Sequence, residues 1–589
     1  MLGPAFACAS NPNPEIGWLA PVAMAFSERA LQEPSDVVAS DAPTLDPSDR
    51  VPLDDAIAAQ SVLCKTLSTL STTHAPDGGY LHAVLALDRQ AKSVEKALLA
   101  AYVDGNAPSR PLDSRYLISA RLLSRSFVHA YERVLDGLKE CAGDTPRKVA
   151  AAVLVQLFRH RRVEFLLRSL RYKKRNSEQW RQLHKVYRFA QSRQLERETP
   201  RGVAQHESGE RATLQQQFVE ILLLGLLNTG QFSPREQVWA THWISRWSSL
   251  LALQPVQPGG AGHPERGGFM VQLDGADGLM RTQPNEAADL HLDTGPLVAA
   301  IDDEIAAIDA APAEGNAQAW ARPGGGVVLL SKLRIAFSPQ PVHIARRGER
   351  TFLASSVDAL SGFKPIVQVV RDEARNAVSP VPASDAQSGG TTLWFRGPNS
   401  VMPVTPPSVS VPMASLRAPK AWQVKDWSDS GCRLRGRTSD LNDVIPGTLL
   451  SIREHHAEWI VAIVRRLRRL MVDHVEISLE FIGRGPRFVK LVQSSHRVAA
   501  ATDVAHIGRK RFGALYLPVS ERSPTMPVKS LIVPVAAFKP GQTMKLASST
   551  VTYALRFNKP FEEHADYVWT TFTLIEKLEP KHAASARAH

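Results

Sequence analysis

Cysteine is scarce: Cys8, Cys64, Cys141 and Cys432 are the four in 589 residues, and none sits in Cys-x-x-Cys spacing. This excludes a disulfide framework, gives no ligand set for a structural zinc, and suits a chain kept in a reducing cytosol. Long apolar runs are also missing. Ile221–Leu227, among the longest, falls far short of the roughly 20 residues that cross a bilayer and reads as a buried helix. No Lys or Arg precedes Arg29, where a secretory leader carries one, and Ala5-Phe-Ala-Cys8 lacks the apolar stretch of a lipoprotein signal. The Gly-x-Ser-x-Gly elbow, the Walker loop and the Gly-x-Gly-x-x-Gly fingerprint do not occur, so a binding protein is expected and not an enzyme. Glu454-His-His456 lacks a matched third ligand, so neither a metal nor another cofactor is expected.

What the chain does have is length, punctuation and positive charge. Its 589 residues exceed one core and predict about three or four domains, while 41 prolines and 36 glycines predict long connections. A formal charge of +12 favours anionic partners without choosing among nucleotides, nucleic acid and membrane surfaces.

Residues 1–52 are rich in Pro, Ala, Ser and Asp without a period, and predict a disordered segment. Residues 53–255 predict an α-helical interaction domain. Leu117, Ala120, Leu123, Phe127, Ala130 and Val134 lie at helical spacing, Thr145-Pro146 marks a helix start, and Ser233-Pro-Arg-Glu236 is a capping box. Within it, Arg159, Arg161, Arg162, Arg168, Arg171, Lys173, Lys174 and Arg175 form a dense basic segment with Phe165 and Tyr172 interleaved. Leu154, Leu157, Val163, Phe165, Leu166 and Leu170 share its helix, which favours a solvated charged face; nucleic-acid binding through 159–175 is the competing and disfavoured reading. Residues 256–345 read as a linker carrying a hairpin, Phe269–Leu273 with Gly278–Arg281, and helices including Gly295–Ile308.

Two later motifs carry the functional reading. Asp426-x-Ser428-x-x-Gly431 lies between the alternating Trp422–Val424 and Cys432–Leu434. Gly447-Thr-Leu-Leu-Ser-Ile452 and Glu458–Arg466 follow it, and Val475–Phe481 is a further strand. Upstream, Arg346-Arg347-Gly-Glu-Arg350 contains Arg-x-x-x-Arg, with Thr351–Ala354 read as a strand. Together these segments resemble the PilZ domains that bind cyclic di-GMP. The resemblance implies a small antiparallel β-barrel over 346–484, with Arg346, Arg347, Arg350, Asp426, Ser428 and Gly431 holding the ligand.

The residue chemistry suits that ligand. Arginine forks grip phosphate or guanine O6 and N7, an Asp carboxylate accepts from guanine N1–H and N2–H, and Ser and Gly supply a hydroxyl and close backbone approach. An Asp-x-Ser-x-x-Gly turn is also common in hairpins for local reasons alone. Arg350 and Asp426 stand 76 residues apart, more than the family spacing. Phe363, Ile366, Val367 and Val370 are spaced as an inserted helix and 377–412 as a flexible segment, although Val367-Gln-Val-Val370 also reads as a strand. Residues 485–578 predict a second small β domain and 579–589 a polar tail. The overall expectation is a multidomain α+β cytoplasmic receptor, its helical domain contacting a protein partner; a degenerate PilZ scaffold without nucleotide is the alternative.

Overall fold

The computed structural model describes residues 55–104, 114–138, 144–173, 176–200, 212–256, 268–281, 288–310, 326–340, 350–352, 355–378, 420–437, 439, 444–454, 457–470, 474–493, 510–519, 528–547 and 551–578. The segment 1–52, the tail, nearly all of 377–412 and the His455-His456 pair lie outside them.

Seven helices come first: α1 (Ala56–Thr73), α2 (Gly78–Asp104), α3 (Ser114–Leu138), α4 (Asp144–Leu170), α5 (Ser177–Ser192), α6 (Leu214–Leu226) and α7 (Pro234–Trp247). The stripe Leu117, Ala120, Leu123, Phe127, Ala130 and Val134 is buried along α3, as its spacing dictates. Ser233 and Glu236 exchange hydrogen bonds with each other's backbone N–H at the start of α7, closing the capping box. Among the described residues no helix is long and apolar enough to cross a membrane.

The segment 256–345 is more than a linker. Strands β1 (Leu253–Pro255), β2 (Phe269–Val271), β3 (Met280–Arg281) and β4 (Leu290–Leu292) form one sheet in the order β1-β4-β2-β3. With α8 (Gly295–Ala310) and α9 (Gly326–Phe337), this sheet buries Leu290, Leu292, Leu297, Ile301, Leu329, Leu330, Leu333 and Phe337 in the same core as the seven helices. Lys332 fixes α9 to α7 through Glu236 at 2.7 Å. Gly and Pro between the elements suggested a connector, but the apolar stripes of α8 and α9 are buried in the helical core.

The described residues that follow α9 include two closed antiparallel barrels. The first comprises β5 (Ser356–Ser361), β6 (Lys420–Ser428), β7 (Gly431–Arg437), β8 (Leu449–Arg453), β9 (Ile460–Arg469) and β10 (His474–Arg484), in the order β10-β7-β6-β5-β8-β9. Among the described residues its first strand starts at Ser356; of the expected strand 351–354, Thr351 forms a bridge to Trp427, and Leu353 and Ala354 lie outside those residues. The second comprises β11 (Arg487–Gln493), β12 (Arg511–Leu517), β13 (Ser530–Val533), β14 (Thr543–Ala547), β15 (Thr552–Glu563) and β16 (Val568–Leu578).

Between β5 and β6 lies α10 (Phe363–Val378), which resolves the choice at Val367–Val370 in favour of a helix. Phe363, Ile366 and Val370 face a core shared by both barrels, together with Leu449, Val461, Ile463, Ile482, Leu515, Leu517, Ile532 and Trp569. This seam explains why β9 is a continuous apolar run at its start: Ala462 and Val464 fill the first barrel, while Val461 and Ile463 face the second. Arg465 reinforces the seam, reaching Glu480 of its own barrel at 2.6 Å and Glu562 of the other at 2.7 Å.

The helical region is joined to the first barrel through Tyr172. This residue follows α4, has φ of 54° and places its ring in the barrel's core. Its carbonyl accepts from Arg469 N at 3.1 Å, and its hydroxyl donates to Phe232 O at 3.2 Å. Gly230 sits so close to β9 that a Cβ there would lie 2.5 Å from Leu467 O.

Candidate functional site

The Asp-x-Ser-x-x-Gly motif is a hairpin. Asp429 and Ser430 form a two-residue turn joining β6 to β7, so Ser428 pairs with Gly431, Trp427 with Cys432 and Asp426 with Arg433. Register alone therefore places an arginine opposite the motif's aspartate. Arg433 donates through Nε to Asp426 Oδ2 at 2.8 Å, and its Nη2 reaches the same oxygen. Its Nη1 lies 3.4 Å from Glu476. Burial opposes the Arg433 charge, but Asp426 and Glu476 outweigh it and raise the guanidinium above its usual range.

Arg350 arrives from the other side. Thr351 and Trp427 exchange backbone hydrogen bonds of 2.9 Å each, laying the chain before β5 along the end of β6. Arg350 Nη1 then donates to Asp426 Oδ1 at 3.1 Å. Asp426 is 1% exposed, and a buried carboxylate is tolerable only when paired, which these two arginines accomplish. The Arg350 side chain stays 53% exposed.

The motif's remaining members serve the turn in this structure. Ser428 Oγ donates to Gly431 O at 2.9 Å. A Cβ on Gly431 would lie 2.1 Å from Leu479 O, so glycine is required there by the neighbouring β10 backbone, independently of any ligand. Gly431→Ala is expected to destabilise the first barrel by about 1–3 kcal/mol through overpacking, read from the urea midpoint by near-ultraviolet circular dichroism. An unchanged midpoint would remove this account of the residue.

Of the six residues chosen from sequence, Arg350, Asp426, Ser428 and Gly431 converge; Arg346 and Arg347 lie outside the described residues. Sequence reasoning missed Arg433, although the two-residue turn is enough to find it. It also missed Trp427, whose ring packs on Phe481 with centroids 4.9 Å apart. Trp427 borders a cleft of about 810 Å³ between the barrels, lined further by Glu454, Glu458, Ile460, Arg484 and Arg487. That volume lies within the ordinary range for small-molecule pockets. Among the described residues no cluster of three His, Cys, Asp or Glu is arranged to hold a metal.

Three arginines of the α4 basic segment are engaged within the protein. Arg159 pairs with Asp88, Arg161 with Glu132 and Glu164, and Arg162 with the fully buried Glu220. These arginines are neither a solvated face nor a free track for nucleic acid, because the carboxylates that meet them come from other helices as well as their own. Tyr172 is likewise committed to docking on the barrel.

No curated protein and no solved structure matches the chain. Residues 48–258, just over a third of the chain and containing all seven N-terminal helices, match the family described as Cyclic-di-GMP receptor FimW, N-terminal domain, and this region is therefore similar to part of a cyclic-di-GMP receptor.

Proposed function

We propose that the protein is a cytoplasmic receptor for cyclic di-GMP, without enzymatic activity, whose first barrel is a PilZ domain and whose helical region passes the signal to a protein partner. The observation that carries this reading is the meeting of Arg350 with Asp426 across 76 residues of sequence, in a chain whose helical region matches a receptor family. In the receptor, Arg346, Arg347 and Arg350 grip the phosphates or stack on guanine, and Asp426 with the Ser428–Gly431 turn presents acceptors and donors to a guanine edge. Arg433 keeps its hydrogen bond to Asp426 and holds it oriented when Arg350 turns to the ligand. Binding then favours whichever arrangement of the 346–350 segment completes these contacts.

Retention of labelled cyclic di-GMP by the intact chain on nitrocellulose tests the assignment. Competition by unlabelled cyclic di-GMP and not by equimolar GTP supports it; no retention, or equal competition by GTP, sinks it.

One observation favours a second reading. Asp426 already has two arginine partners and Ser428 already serves the turn, an arrangement complete without nucleotide. A barrel that acts only as a protein scaffold would retain no cyclic di-GMP while still capturing its partner.

A further inference from the structure

The outer half of the basic segment remains to be accounted for. Beyond the arginines locked in ion pairs, α4 ends in a turn: Arg171 N and Lys173 N both donate to Arg168 O, at 3.2 and 3.3 Å. Lys173 forms a parallel bridge with Arg469 of β9, and Arg469 N bonds to Tyr172 O. Arg121, on the exposed side of α3, acts electrostatically on Arg171 and Lys173, and the buried Tyr102 of α2 lies within the influence of Arg171 and Arg469. Cations from the end of α4 and from the barrel thus meet where the helical region joins β9, and Arg121 of α3 acts on them. Among the described residues no carboxylate forms an ion pair with Arg121, Arg171, Lys173 or Arg469.

This crowding has an energetic consequence. Burial lowers the Lys173 ammonium from its ordinary range, and Arg171, Arg168, Arg469 and Arg121 push it the same way. Burial also lowers the Arg171 guanidinium, with Arg121 and Arg469 adding to the effect. The carbonyls at the end of α4 favour cations nearby, but that field fades within a turn and does not account for charges brought from α3 and β9. A bound anion relieves the repulsion at all of them together.

We propose that this junction is a second anion-binding site, remote from the hairpin motif, that takes a small ligand bearing adjacent phosphoryl groups. Arg121, Arg171, Lys173 and Arg469 are its ligating cations. Arginine forks match phosphate oxygens two at a time, and adjacent phosphoryl groups carry the multiple charge that several cations require. Nucleic acid suits the site less well, because the ion pairs of Arg159, Arg161 and Arg162 shorten the track to a compact cluster. The register of β7 and β10 separates the two sites: Gly431 pairs with Glu480 at one end of the barrel, and Arg437 with His474 at the other, beside Arg469. Occupation bridges cations of the helical region to Arg469 of the barrel, tightening the joint that Tyr172 makes.

Calorimetric titration of the intact chain with inorganic pyrophosphate, at ionic strength held constant with sodium chloride, tests this. Saturable binding is expected in the wild type and equally in Arg350→Ala, and roughly tenfold weaker or worse in Arg171→Ala/Lys173→Ala and in Arg469→Ala. Lys173→Glu, at a partly exposed position, gives the same loss should Arg469→Ala not fold. GTP in place of pyrophosphate separates the sources: tighter binding marks a nucleotide, and equal binding marks the phosphate chain itself. The proposal is overturned by no saturable binding, by binding that survives the junction variants, by binding that disappears in Arg350→Ala, or by a short DNA duplex outcompeting pyrophosphate.

Discussion

Asp88→Ala is expected to weaken the helical region by about 3–5 kcal/mol, moving its urea midpoint, followed by circular dichroism at 222 nm, down by roughly 1–2 M. Asp88 lies on α2 and is 2% exposed. It accepts from Tyr131 Oη of α3 at 2.7 Å, pairs with Arg159 of α4, and lies 3.0 Å from His160 Nε2. One carboxylate thus ties three helices where they cross. Its removal leaves a largely buried guanidinium without that partner and the Tyr131 hydroxyl without an acceptor, which costs more than the ion pair itself contributes. Asp88→Asn, which keeps an acceptor but not the charge, is expected to lose less. Equal midpoints for wild type and Asp88→Ala would show that the cluster does not brace the bundle.

The same cluster sets a pH dependence. Burial, with Arg159 adding to it, lowers the His160 imidazole below its ordinary 6.5, so between the two values the unfolded chain binds a proton that the folded one resists. Burial acts to raise the Asp88 carboxyl, but Arg159 and His160 outweigh it and hold it below its ordinary 3.8. Both contributions are complete above pH 6.5 and are lost on acidification, that of His160 first and that of Asp88 as the pH falls below 3.8. The urea midpoint of the helical transition is therefore expected to fall from pH 7.5 to pH 5.5, and a rise would contradict this account.

Arg350→Ala is expected to weaken cyclic di-GMP binding by about 10-fold to 100-fold, the equivalent of one or two charge-assisted hydrogen bonds. The fold should survive, because Arg433 still neutralises Asp426 and Arg350 is more than half exposed. Loss of affinity without loss of stability distinguishes a ligand contact from a structural tie. Wild-type affinity in this variant would leave Asp426 as the only role for Arg350.

What could be read from sequence follows from the range of the interactions involved. The α3 stripe and the Ser233 capping box depend on residues three and four apart, and both stand in the structure as their spacing predicts. Arg433 was also within reach, since a two-residue turn after Ser428 fixes it opposite Asp426. The α10 segment was ambiguous because β-branched residues suit strands, while Phe363, Ile366 and Val370 suit one helix face; the seam between two barrels decided it, and that seam has no local signature. The arginines of α4 misled for the same reason. Arg159 meets Asp88 from 71 residues away and Arg162 meets Glu220 from 58, distances at which a charge run looks unpaired. Tyr172, an aromatic in a basic run, gave no hint that it would fill the core of a barrel formed hundreds of residues later.

Titration calorimetry of the intact wild-type chain with cyclic di-GMP tests the central claim most directly. The receptor reading predicts saturable heat in the micromolar range, reduced in Arg350→Ala and unchanged in Lys173→Glu; no heat at high micromolar ligand, or the same affinity in Arg350→Ala, would contradict it.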